Sequence, residues 1–380
     1  MGFLDMAARH TQIRFVMILS TALATLLALA GTLMGVIRLM SYGLPVRLSE
    51  FFLLHPDLQA FGFLLLFILG VSYALIPRFK NKTQSNTTNF IIIVSTIFAG
   101  NLVKMLYDVR IGDFIILIAC SAYAVWILII VGKPAGFFWV SDSFIILSPV
   151  CLVAAAVLKI IYPYPWTVPR FLDLVLLGFP SAMVFGVVMR TVRFRLEANY
   201  RRKTAALCLV SFATAFVLIF SSELLRKLLL LLSGVLLLLA VDFHKVKTNV
   251  SGLAERDAVR YRYFTVVFTV AGLWLLAGLV FNFLQSLSSG FAFRDAYIHS
   301  IAIGFLGNMI MAYAPILLPP LISMKTPYKG LSLAPAILLN LGNSWRVAAS
   351  ASTGLAQAYL SGLLVLAGLA WFVVMVHRLR

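Results

Sequence analysis

Two histidines and two aspartates stand where an apolar chain has least use for them. His55 and Asp57 head an apolar stretch that runs to Phe79. Asp173 heads a second stretch, and His299 a third that ends at Pro319. Ionisable side chains inside membrane spans are costly, so they are functional candidates by default. A neutral imidazole is a good metal ligand. Asp57, Asp173 and His299, if their helices converge, make a set of two carboxylates and one imidazole that suits iron, copper or zinc. A plainer reading is also open. His55 would cap its helix ahead of Pro56, a residue suited to a first turn, and His299 would hydrogen-bond a neighbouring helix. Each aspartate would pair with an arginine such as Arg170 or Arg294. His10, His244 and His377 lie among basic residues, where a solvated or lipid-headgroup role is expected.

The elements that position these residues follow from hydropathy. The 380 residues are 62% hydrophobic and 12% charged, with a mean hydropathy of +1.00. Ordinary soluble domains carry roughly twice that charged fraction. Apolar runs recur from end to end, which predicts a polytopic protein of the lipid bilayer. The pattern predicts twelve spans, over 13–38, 52–77, 88–107, 112–132, 142–162, 168–190, 204–222, 226–243, 262–285, 294–318, 329–348 and 357–377. They leave no room for a soluble domain, so residues 1–380 are expected to form one integral membrane domain. The first span is too long for a signal-peptide core and reads as a retained helix. Cys120, Cys151 and Cys208 fall inside spans without a CxxC spacing, and so indicate neither disulfides nor zinc.

The net charge of +18 belongs to the loops and not to a nucleic-acid surface. Arg78, Lys80 and Lys82 follow span 2, Arg193 to Lys203 follow span 6, and Lys245 to Arg262 follow span 8. Basic residues collect on the cytoplasmic side of membrane helices. Both termini are therefore expected in the cytoplasm of a plasma-membrane protein, with His55 and His299 near the outer face.

A repeat organises the spans. Gly62-Phe63, Gly178-Phe179 and Gly304-Phe305 fall in spans 2, 6 and 10, separated by 116 and 126 residues. Five residues before each glycine stand Asp57, Asp173 and His299, and proline follows Gly62 and Gly304 at the same distance, as Pro77 and Pro319. Such a period predicts three arcs of four helices. A facilitator-type transporter would repeat after six.

Four segments carry a family resemblance. His55-Pro56-Asp57-Leu58-Gln59-Ala60-Phe61-Gly62-Phe63, Gly186 to Val192, His299 to Pro319 and Asn343-Ser344-Trp345-Arg346-Val347 resemble motifs of the NnrS family. Its members are haem-containing membrane proteins distantly similar to subunit I of haem-copper oxidases and linked to nitric oxide and denitrification. Asp57 stands where the family pattern has a second histidine. The resemblance implies an all-α, oxidase-like fold of about twelve helices, with spans 2, 6 and 10 at the centre. It also implies a role in nitric oxide handling or respiratory electron transfer. A core with two haems and a copper needs about six imidazoles, whereas two suffice for one six-coordinate haem b. That count excludes a terminal oxidase and leaves enzymatic activity open. His55 and His299 become the expected axial ligands, and Arg47, Arg294 and Arg346 the expected propionate partners. Subunits of a respiratory complex or an outer-side electron carrier are the partners implied. The alternatives are a haem-free permease whose polar inner helices line a path, and an accessory subunit of a respiratory complex. Asn101, Lys104, Asn308, Asn340 and Asn343 are polar residues within spans, and the asparagines are expected to join helices.

Overall fold

Bilayer hydrocarbon offers the backbone no hydrogen-bond partner, so each apolar stretch must close its own bonds as a helix. A computed structural model describes residues 3–41, 51–82, 86–162, 164–195, 200–245, 252–288, 291–321, 330–351 and 358–378. Among the described residues there are twelve helical rods: α1 (Phe3–Ser41), α2 (51–79), α3 (Thr87–Leu106), α4 (Val109–Val131), α5 (Trp139–Ile161), α6 (169–195), α7 (Arg202–Phe220), α8 (Glu223–Ala240), α9 (Glu255–Leu287), α10 (291–321), α11 (Ala334–Ala351) and α12 (Ala358–Arg378). Ten are long and apolar enough to cross a membrane; α8 and α11 are the other two. Helix α8 carries Glu223, Arg226 and Lys227 near its start. Side-chain caps mark three starts, at Asn86 on Thr88, Asp108 on Ile111 and Ser222 on Leu225. Helix α1 starts ten residues before the hydropathy boundary and α9 seven before it, because a helix does not need to end where its side chains become polar.

Three helices lie inside. The apolar windows of α2, α6 and α10 are 78, 89 and 61% buried, against 28–56% for the other seven spans. These are the helices of the Gly-Phe repeat, and each contains a π-helical stretch at that place: Leu58–Leu64, Asp173–Ser181 and Ser300–Gly307. The i→i+5 pattern is rare and short-lived in most helices and recurs at functional sites. Here its irregular carbonyls are taken up by polar side chains. Asn101 Nδ2 donates to Phe61 O (3.1 Å), Ser148 Oγ to Phe179 O (2.8 Å) and Asn308 Nδ2 to Gly304 O (2.6 Å).

The repeated glycines admit the preceding helix. A Cβ at Gly62 would lie 2.8 Å from Leu27 of α1, at Gly178 2.7 Å from Cys151 of α5, and at Gly304 2.5 Å from Trp274 of α9. The same order recurs around the molecule: α3 packs on α4, α7 on α8 and α11 on α12, while α4–α5, α8–α9 and α12–α1 contacts close the ring. Asn308 and Asn340 exchange hydrogen bonds of 3.0 and 2.9 Å and join α10 to α11, as expected. All three cysteines are free and buried. At the opposite end from the histidines, Arg190 locks α2, α5 and α6 together. It donates to Ser141 Oγ (3.0 Å), to Phe79 O (2.9 Å) and to Asp142, and its guanidinium stacks over Phe79 and Phe138. Lys80 reaches the same Asp142 at 2.8 Å.

Candidate functional site

The start of each inner helix meets the end of an outer helix from a neighbouring arc, and each meeting buries polar groups. At the first junction Asp57 of α2 faces Lys159 of α5, with Lys104 of α3 and Asp113 of α4 completing a quartet. Lys104 Nζ lies 3.3 Å from Asp57 and 2.5 Å from Asp113; Lys159 Nζ bonds Asp57 and lies 2.5 Å from Asp113. Trp166 Nε1 donates to the second Asp57 oxygen at 2.8 Å, and Phe61 lies under both ammonium groups. Two carboxylates and two ammonium groups balance. A buried charge left unpaired would be far more costly than this closed set.

The second junction repeats the arrangement with different residues. Asp173 of α6 accepts from Asn282 of α9 (3.0 Å) and Tyr297 of α10 (3.1 Å). Arg226 Nε of α8 lies 3.0 Å from the other Asp173 oxygen, off the angle of a hydrogen bond, while its Nη1 donates to Ile219 O. The neighbouring Lys227 pairs with Glu223 at 2.6 Å.

At the third junction, α10 meets α11, α1 and α2, and the chemistry changes. His55 of α2 packs its ring on Gly35 of α1, where a Cβ would come within 2.8 Å of the ring. Its Nδ1 is 2.6 Å from Gly31 O, and His299 Nδ1 is 2.9 Å from Asp295 O. A carbonyl oxygen can only accept, so both Nδ1 atoms carry a proton, and in the neutral ring Nε2 keeps the lone pair. Among the described residues neither Nε2 is hydrogen-bonded. The two imidazoles lie within electrostatic reach of each other and of Arg38 and Arg346. Asp295 fixes Arg346 through Nη2 (2.8 Å) and also accepts from Ser350. Among the described residues the rest of that guanidinium, Nε and Nη1, is buried without a partner. So are both polar atoms of Asn343, one turn earlier on α11 and fully buried. Arg294 lies within electrostatic reach of Asp295 and Arg38.

Set against the sequence, the third junction brings together His55, His299, Arg294 and Arg346; Arg47 lies outside the described residues. The metal set of Asp57, Asp173 and His299 is not formed. Each aspartate is held by its own cations, and among the described residues no group of three His, Cys, Asp or Glu side chains is placed to hold a metal ion. The arginine partners differ too: Arg170 stacks on Phe220, and lysines, not arginines, neutralise Asp57. Sequence reasoning missed Asp295, Asp113 and Lys159. Asp295 had a signal, since four residues before His299 on a helix is the same face. Asp113 and Lys159 had none beyond being charges in apolar stretches.

These features define a polytopic helical membrane protein with a closed ionic quartet at Asp57, a partly satisfied ion pair at Asp173, and a third junction that carries two histidines beside Arg346 and Asn343. The chain belongs to the family described as Domain of unknown function (DUF8744), which matches residues 14–379. A comparison with curated proteins finds no match.

Proposed function

We propose that this chain is a haem b-binding membrane protein of NnrS type, with His55 and His299 as the two axial ligands. The observation that carries this reading is the shared tautomer: each ring gives its Nδ1–H to a backbone carbonyl and keeps Nε2 as the ligating atom. Metal-ligating histidines are oriented in this way by their second nitrogen. The orphaned atoms also fit the group. Arg346 Nε and Nη1 are charged donors left for a propionate carboxylate, each as a single hydrogen bond, and Asn343, three residues earlier on the same helix, adds a donor and an acceptor. Arg294 is the second propionate partner. When bound, the haem would supply reversible one-electron chemistry. The chain's residues hold and orient it and exclude water. The reading extends to twelve spans in three oxidase-like arcs, with termini in the cytoplasm and the histidines toward the outer leaflet, as the basic loops suggest. A role in nitric oxide handling or respiratory electron transfer, with an outer-side electron carrier as partner, follows from the resemblance.

The haem-free permease finds less support. Asp57, Asp173 and Asn308 of the inner helices are held in ion clusters or a helix-joining bond, and the space between α2, α6 and α10 is apolar. A visible spectrum of the purified chain before and after dithionite tests the proposal. A Soret band and reduced α-band are expected; their absence after expression with adequate haem supply would sink it. His55→Ala and His299→Ala should each abolish the low-spin spectrum, and unchanged spectra in both would show that the ligands lie elsewhere.

A further inference from the structure

Between the three inner helices, away from the histidines, lies a partly open apolar cavity. It is lined by α2 from Leu64 to Ile76, α6 from Met183 to Val188 and α10 from Leu306 to Leu317. Twelve residues of α2 make it about 18 Å long at 1.5 Å per residue. Of the side chains facing it only Ser72 and Tyr313 carry a polar atom besides sulfur. Both hydroxyls are engaged. Ser72 Oγ lies 3.0 Å from Leu69 O and 3.0 Å from Tyr123 OH. Thr191 Oγ1 donates to Val187 O (2.8 Å), so Tyr313 OH is the donor in its 2.9 Å bond to Thr191.

Water needs two to four polar partners to stay in a buried site, and the two hydroxyls here are already engaged. Protein interiors, in turn, leave few voids larger than a water molecule. The occupant is therefore apolar. Its length matches one leaflet, about half of the ~30 Å hydrocarbon thickness. We infer that the cavity holds a single apolar chain, acyl or isoprenoid, lying along the inner helices from the end of the bundle where Arg190 sits. This inference is independent of haem binding, which is read spectroscopically at the other end of the same helices.

The test uses the full-length chain purified in detergent, with native mass spectrometry and organic extraction of what it retains. One tightly held apolar-chain molecule per chain is expected, its mass deciding between a membrane lipid and an isoprenoid. Val71→Trp and Val187→Trp, which fill the cavity from α2 and α6, should lower retention at least tenfold while unfolding at an unchanged or higher temperature. Val71→Phe fills less and should lower it by a smaller factor, keeping the test open if tryptophan prevents folding. A wild-type chain that retains no such molecule overturns the inference. So does equal retention in the folded filled variants.

Discussion

The Asp57 junction and the His299 junction occupy corresponding places on one repeated scaffold, and they differ in what they leave over. At Asp57 every charge is matched within the cluster, from α2, α3, α4 and α5, and Trp166 satisfies the remaining oxygen. At His299 the local aspartate holds one edge of Arg346, while two imidazole lone pairs, two guanidinium nitrogens and one whole carboxamide have no partner among the described residues. The first cluster is complete in itself and its job is to hold four helices together. The second leaves donors and lone pairs open among the described residues. Buried polar atoms without partners are rare in native proteins, and among the described residues they occur at the His299 junction, on Arg346 and Asn343, and at the Asp173 junction, on Asp173, Arg226 and Asn282.

That contrast can be broken, and the largest effect should come from the closed side. Asp57→Ala leaves Lys104 and Lys159 sharing Asp113, and should destabilise the chain by about 3–5 kcal/mol, read by thermal unfolding in detergent. The pair Asp57→Leu with Lys159→Met keeps Lys104–Asp113 intact and should recover most of that loss. If the double variant is as unstable as the single one, the quartet is not the neutral unit described. On the open side, Arg346→Ala frees Asp295 from its charged partner at a cost of about 2 kcal/mol; Arg346→Lys should retain part of the stability but lower haem retention, because the planar fork is lost.

Asparagines give the finer comparison. Asn101→Leu removes the donor to Phe61 O and should cost about 1 kcal/mol. Asn343→Leu removes two unsatisfied atoms, so the ligand-free chain should be as stable as wild type or more so, while ligand retention falls. A destabilised ligand-free Asn343→Leu would show that this carboxamide has protein partners after all.

Much of the architecture was legible in the sequence. The spacing of Gly62, Gly178 and Gly304 located the three inner helices, because a close helix approach needs a residue without Cβ at the same depth each time. Asn308 and Asn340 read correctly as a helix–helix join. The polar position five residues before each glycine was also real, but its meaning was not. Whether Asp57 meets a metal or Lys159, 102 positions away, depends on how four helices are rotated, and hydropathy carries no rotation. The π-helical stretches were invisible for a related reason. They go with packing at the glycines and with side chains such as Asn101 and Ser148 that donate to the displaced carbonyls, contacts remote in sequence.

The burial of the cysteines has a practical side. Cys120, Cys151 and Cys208 expose at most 3% of their surface, and Cys151 fits against the glycine gap at Gly178. Thiol alkylation must then wait for helices to part, so the rate at which a maleimide labels each site reports local opening. Labelling at Cys151 reads the α5–α6 contact, labelling at Cys208 the α7–α8 pair through its bond to Ser233 O, and labelling at Cys120 the α4 flank. The chain thus carries three clocks for its own unfolding, with no engineered label.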